Sequence, residues 1–70
     1  EKHTFNKKLA KRIKAAREEK ELSQGQLGKL CGKQKQAIQR LEQGLVVPSA
    51  YFVYQIAVAL RVSVAKLIEG

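Results

Sequence analysis

The sequence predicts an all-α fold, a compact domain of five short helices, from three observations. Apolar residues recur at helical spacing in successive segments. Serine stands directly before three of these segments, at Ser23, Ser49 and Ser63, where its hydroxyl can cap a helix start. Gly32, Gly44 and the single proline, Pro48, fall between segments, where helices stop.

Phe5, Leu9, Ile13 and Ala16 predict a first amphipathic helix from about Asn6 to Lys20, with Asn6 as its N-cap and residues 1–5 as a flexible arm. Ser23-Gln24-Gly25-Gln26 has the Ser-x-x-Gln form of a capping box, and Leu22 and Leu27 are placed as a hydrophobic staple. A second helix of two turns is therefore expected from Gln24 to Cys31, burying Leu27, Leu30 and Cys31, with Gly32 as a left-handed C-cap. The third spans about Gln34 to Gln43. Ile38 and Leu41 face inward, Ala37 sits between faces, Gln36, Gln39, Arg40 and Gln43 form the opposite side, and Gly44 stops the helix. Ser49 opens a fourth helix ending near Leu60, with Val53, Ile56, Ala57 and Leu60 as its inward stripe. A last short helix, Val64 to Ile68, is capped by Ser63.

Seventy residues are read as a single domain. A chain this short buries only roughly 60% of its unfolded surface, which leaves little room for a deep catalytic cleft. There is no paired carboxylate in a plausible cleft, no Cys–His constellation, no metal-ligand spacing and no phosphate-cradling glycine loop. No enzyme activity, cofactor, metal or small-molecule substrate is expected. Cys31 has no partner for an internal disulfide, reads as a small core residue, and favours a reducing compartment. The apolar stretch from Ala50 to Leu60 is interrupted by Gln55 and is far shorter than the roughly 20 residues a bilayer requires. The basic N-terminus lacks the apolar run of a signal peptide, and a cytoplasmic location with no membrane contact is expected.

The net charge is +8, and it is unevenly distributed. Lys2 to Arg17 holds seven cations (Lys2, Lys7, Lys8, Lys11, Arg12, Lys14, Arg17) and no acid. Leu22 to Leu41 adds Lys29, Lys33, Lys35 and Arg40, again without an acid. Such asymmetry suits a polyanion met by one side of the molecule. The plainer reading is a solvated charged surface, and charge alone does not separate the two.

The second and third helices, joined by a tight glycine turn and with the third polar on its outer face, form a helix-turn-helix pattern. A recognition helix must be held by a few buried residues while long polar side chains on its other side reach base edges in the major groove. At this point the chain resembles the Cro and lambdoid phage-repressor type of helix-turn-helix domain. The matching residues are Ile13 and Arg17; Leu22-Ser23-Gln24, Leu27, Gly32 and Ile38; Leu41-Glu42-Gln43-Gly44; Pro48-Ser49, Ile56-Ala57, Ala59-Leu60, Val62-Ser63 and Leu67. Each is weak alone; their joint order, over about Leu9 to Ile68, is specific.

The resemblance implies a lambda-repressor-like fold and a transcriptional regulator, most often a repressor, that binds a double-stranded DNA operator as a homodimer near the nucleoid of a prokaryote or in a phage-infected cell. It implies base reading by Lys35, Gln36 and Arg40, with Ala37 meeting a thymine methyl, and a phosphate contact from Gln24. Lys33, Gln34, Gln39 and Gln43 complete the expected phosphate contacts. Arg17 and Glu42 match a pair that ties the first helix to the end of the recognition helix; read without the resemblance, they are two surface charges of little consequence. Departures from the family pattern carry expectations of their own. Lys33 replaces an aliphatic residue, so its stem should lie along apolar surface. Gly28 replaces an alanine at a helix-propensity cost of about 1 kcal/mol. Arg61 replaces a frequent glycine, implying strain or a different cap.

Leu45-Val46-Val47 stands where relatives often have a basic loop. With Tyr51, Tyr54 and Val58, it is the expected dimer contact, because a helix apolar all round is normally buried on more than one side. The bland alternative has the tyrosines and Phe52 covering the small core. The same apolar residues support a second function, a protein-binding adaptor such as an antitoxin or coactivator-like domain with a protein partner.

Overall fold

A computed structural model describes the backbone of residues 2–69 and the side-chain surroundings of residues 4–69. Five helices follow in order, and no strand occurs among the described residues: α1 (Lys2–Glu19), α2 (Gln24–Leu30), α3 (Lys35–Glu42), α4 (Ala50–Leu60) and α5 (Val64–Glu69). The α2–α3 pair packs most closely, α1 lies across α3 and α5, and α4 closes the far side against α2 and α5. Leu9, Ile13, Leu27, Ile38, Leu41, Ile56, Leu60 and Leu67 meet in the middle, all fully buried. Each such burial stabilises by about 1.5–3 kcal/mol.

Local chemistry explains most helix ends. Ser23 Oγ accepts from Gln26 N while Gln26 Oε1 accepts from Ser23 N, a complete capping box. Ser49 Oγ accepts from Phe52 N, and Ser63 Oγ from Lys66 N. At the other ends the chain turns through left-handed residues. Lys33 N donates to Gly28 O and Gly32 N to Lys29 O, which closes α2 around Gly32 at φ +68°. Gly44, at φ +74°, closes α3 in the same way. Arg61 does so for α4 at φ 57°. It takes the ordinary cap geometry, with the strain of a side chain in the left-handed region.

Several expectations are corrected. The first helix begins at Lys2, so of the arm expected over 1–5, residues 2–5 are helical; Glu1 lies outside the described residues. No glycine or proline precedes Asn6 to stop the helix there. Asn6 thus sits inside α1 rather than capping it, and its buried Oδ1 has no hydrogen-bond partner. The second and third helices each lose a residue or two at their ends, with Cys31 and Gln43 as C-caps and Gln34 as an N-cap without a side-chain bond. Leu30, expected in the core, is 61% exposed. The inward stripe of α2 is Gln24, Leu27, Gly28 and Cys31, at i, i+3, i+4 and i+7, and Leu30 falls outside it. Val46 is half-buried against the core, leaving Leu45 and Val47 as the exposed apolar residues of its loop.

Candidate nucleic-acid interface

The α2–turn–α3 unit is held by backbone proximity as much as by side chains. A Cβ added at Gly28 would lie 2.9 Å from Lys33 O and 3.2 Å from Gln34 O. Glycine therefore lets the turn settle directly onto α2, a reason for its presence beyond helix propensity.

From α3, Ile38 and Leu41 enter the core and Ala37 is half-buried. Lys35, Gln36, Gln39, Arg40 and Gln43 are exposed, as are Lys33 and Gln34 in the turn. No acid lies among these outward residues. The one acid of α3, Glu42, points inward with its side chain 3% exposed, against an Arg17 side chain 9% exposed. Arg17 Nε donates to Glu42 Oε2 at 2.6 Å, and Nη2 to Oε1 at 3.0 Å. The fork is completed by Nη1, which donates to Leu22 O at 2.6 Å, at the entry to α2. Gln24 Nε2 adds a bond to Glu42 Oε1 at 3.1 Å. One carboxylate thus gathers α1, the start of α2 and the end of α3. Its hydrogen bond holds the Arg17 guanidinium above its ordinary range, with burial opposing. The geometry is bidentate, which fixes direction as well as distance.

Two residues expected at phosphates have engagements within the molecule. Gln24 is half-buried and spends one amide N–H on Glu42; its carbonyl oxygen and second N–H have no partner among these bonds. Lys33 Nζ stands 5.2 Å from the centroid of the Phe52 ring, a cation–π contact between the turn and α4. Cys31, buried beneath the turn, has its thiol pushed up by burial, with Lys33 opposing.

Elsewhere the exposed side chains have the opposite character. Leu30, Leu45, Val47, Tyr51, Tyr54 and Val58 are all exposed. The Tyr51 and Tyr54 rings stack at 6.5 Å and 24°. Leu30, Tyr54, Gln55, Val58 and Ala59 line a shallow depression between α2 and α4. Sequence reasoning missed Leu30 here, although the i, i+3, i+4, i+7 stripe through Gly28 and Cys31 would have turned it outward. It also missed Arg12, whose Nη1 donates to the carbonyls of Leu67 and Ile68 and so closes the end of α5.

No helix among the described residues is long and apolar enough to cross a membrane. No group of three or more His, Cys, Asp or Glu among them is arranged to hold a metal.

Residues 13–67 match the HTH_3 helix-turn-helix family model. The fold is similar to that of the hypothetical transcription factor NHTF from Neisseria, with a TM-score of 0.89 and 22% identity over 97% of this chain and 78% of that one. It is equally similar to an HTH_3 family transcriptional regulator from Vibrio cholerae, with a TM-score of 0.90 and 23% identity. That match takes in 99% of this chain but only 39% of the Vibrio chain. No curated protein matches the sequence.

Proposed function

Because this chain belongs to the helix-turn-helix family HTH_3, we propose that it binds duplex DNA in a sequence-specific manner as a transcriptional regulator, a repressor, with α3 in the major groove. The observation that carries the reading is the acid-free outer face of α3, whose only carboxylate is turned inward onto Arg17. An exposed helix with no partner gains solubility by mixing charge signs; one that meets a polyanion gains by excluding acids. Gln36 has the donor and acceptor to bond adenine bidentately, Lys35 and Arg40 suit guanine, and Ala37 offers a methyl to thymine. Lys33, Gln34, Gln39 and Gln43 surround these as phosphate contacts, and Gln24 joins them with the amide groups that Glu42 leaves free. The named functions of the two similar structures support the same reading.

The protein acts as a homodimer in this proposal, in the cytoplasm and at the nucleoid, with Leu45, Val47, Tyr51, Tyr54 and Val58 between copies and Val46 supporting them from within. Dimers of this kind read two half-sites about one helical turn apart. The exposed apolar residues favour one second reading, an adaptor that docks a different protein there. Selection of bound duplexes from a random pool separates the two. The expected result is a two-half-site consensus, with Gln36→Ala and Arg40→Ala each costing roughly 1–3 kcal/mol and relaxing preference at particular base pairs. A consensus unmoved by Gln36→Ala removes its base-reading role, and no selected sequence at all favours the adaptor.

A further inference from the structure

Gln36, Arg40 and Gln43, at i, i+4 and i+7, form one exposed row along α3 that leads to Gly44. Gly44 lies against α1: a Cβ built on it would sit 3.7 Å from Lys7 Cγ and 3.8 Å from Lys7 Cα. On α1, Lys7, Lys11 and Lys14 repeat the same spacing, and all three are exposed. Three residues beyond Lys14, Arg17 reaches Glu42 at the end of α3. Helix α1 therefore meets the end of α3 at two points, through Lys7 and through Arg17, and the lysine row flanks the line between them.

The other described cations of this half of α1 differ in their placement. Arg12 is committed to the carbonyls of α5. Lys8 is exposed and lies about 100° around the helix from Lys7 and about 60° from Lys11, beside the row rather than in it. The first acid after the row is Glu18, beyond Lys14 and 3.9 Å from Arg17. The loop that leaves Gly44, Leu45-Val46-Val47, brings no charge to this edge.

We propose that the duplex-binding surface continues from α3 across Gly44 onto α1, where Lys7, Lys11 and Lys14 bind backbone phosphates. This rests on the DNA-binding reading above and adds to it a phosphate-binding surface outside the helix-turn-helix pair. A lysine amine is a mobile point charge that suits a phosphate, and a phosphate contact carries no base information. The row thus contributes affinity and salt dependence and leaves sequence preference to α3. It also assigns a use to the cations of α1, which charge alone could not distinguish from a solvated face.

The test measures binding of one selected duplex across a salt series, for the unaltered chain, Lys7→Gln, the triple variant Lys7→Gln/Lys11→Gln/Lys14→Gln, and Lys66→Gln on α5. The slope of log K against log salt falls by about 0.9 for each phosphate contact removed. The expected loss is one such step for Lys7→Gln and two to three for the triple variant, with the preferred sequence retained and Lys66→Gln unchanged. Unaltered slopes for Lys7→Gln and the triple variant, or an equal loss in Lys66→Gln, overturn the α1 surface and leave the role of α3 standing. A changed sequence preference in Lys7→Gln overturns a purely phosphate role. An unaltered chain that binds no duplex even at low salt removes the role of α3, and the α1 surface with it. Helical circular dichroism and melting check that the variants, exposed substitutions to a good helix former, remain folded.

Discussion

Helices α3 and α4 bury their inner stripes in the same core and differ almost completely in what they turn outward. On α3, Ile38 and Leu41 are anchored and everything opposite is long, polar and free of acid. On α4, Val53, Ile56, Ala57 and Leu60 are anchored, and the opposite side offers Tyr51, Tyr54 and Val58 with no charge anywhere in the helix. The core would accept either kind of outer face, so the difference is not explained by folding. Each outer face suits a different class of partner: a polyanion for α3, an apolar surface for α4.

The two sides also differ in how they are held, and the largest expected effect breaks that difference. The α3 side depends on a buried carboxylate bonded to Arg17 and Gln24. Glu42→Ala leaves the buried Arg17 cation with only Leu22 O and the exposed Glu18 carboxylate at 3.9 Å, and breaking such a buried pair costs about 3–5 kcal/mol. A domain of this size has a total margin of roughly 4–10 kcal/mol, so thermal unfolding should shift severely. A double-mutant cycle with Arg17→Met isolates the coupling. Additive single effects would reduce the pair to two independent charges and leave the α3 side with no special anchor.

The α4 side is expected to respond in the opposite sense. Tyr51→Ser with Tyr54→Ser removes two exposed rings, so monomer stability should change by no more than about 0.5 kcal/mol per site. Self-association, and occupancy of a palindromic duplex by two copies, should weaken by about 10-fold or more, because tyrosines at an interface centre carry a large share of its energy. Sedimentation with and without the duplex reads both. Loss of stability without loss of association would assign the rings to the core and erase the contrast between the helices.

What the sequence revealed follows the range of the interaction concerned. The caps at Ser23, Ser49 and Ser63 and the turns at Gly32 and Gly44 are contacts within a few residues, and they were legible as local patterns. The inward stripe of α4 was legible for the same reason. Leu30 was misread because Gly28, with no side chain to mark it as inward, hides the stripe through Gln24, Leu27 and Cys31 that turns Leu30 outward. Asn6 was read as a cap because its residue type outweighed the lack of anything upstream to stop the helix. The contacts of Gln24 with Glu42, Lys33 with Phe52, Arg12 with α5 and Lys7 with Gly44 join distant segments. Periodicity carries no information about them. Resemblance supplied the pairing of Arg17 with Glu42, whereas residue chemistry by itself left them as two surface charges.

The smallest expected effect sharpens the comparison at the helix ends. The two helices of the α3 side end at Gly32 and Gly44, while α4 ends at Arg61, in the same left-handed conformation and with the same pair of closing bonds. A residue with a Cβ costs roughly 1–2 kcal/mol in that conformation. Glycine avoids the cost but loses more backbone entropy on folding, about 0.5–1 kcal/mol. Arg61 is exposed, and no side-chain bond to it occurs among the described contacts, so little else offsets the strain. Arg61→Gly should therefore stabilise by about 0.5 kcal/mol, which for a domain of this size raises Tm by roughly 2–4 °C. Gly44→Ala, the reverse exchange on the α3 side, should lower it by a similar amount, since a Cβ there meets Lys7 only at ordinary contact distance. Differential melting of the two variants decides the matter. A destabilised Arg61→Gly would mean that the arginine side chain contributes a stabilising contact, and that the end of α4 is held by more than its backbone.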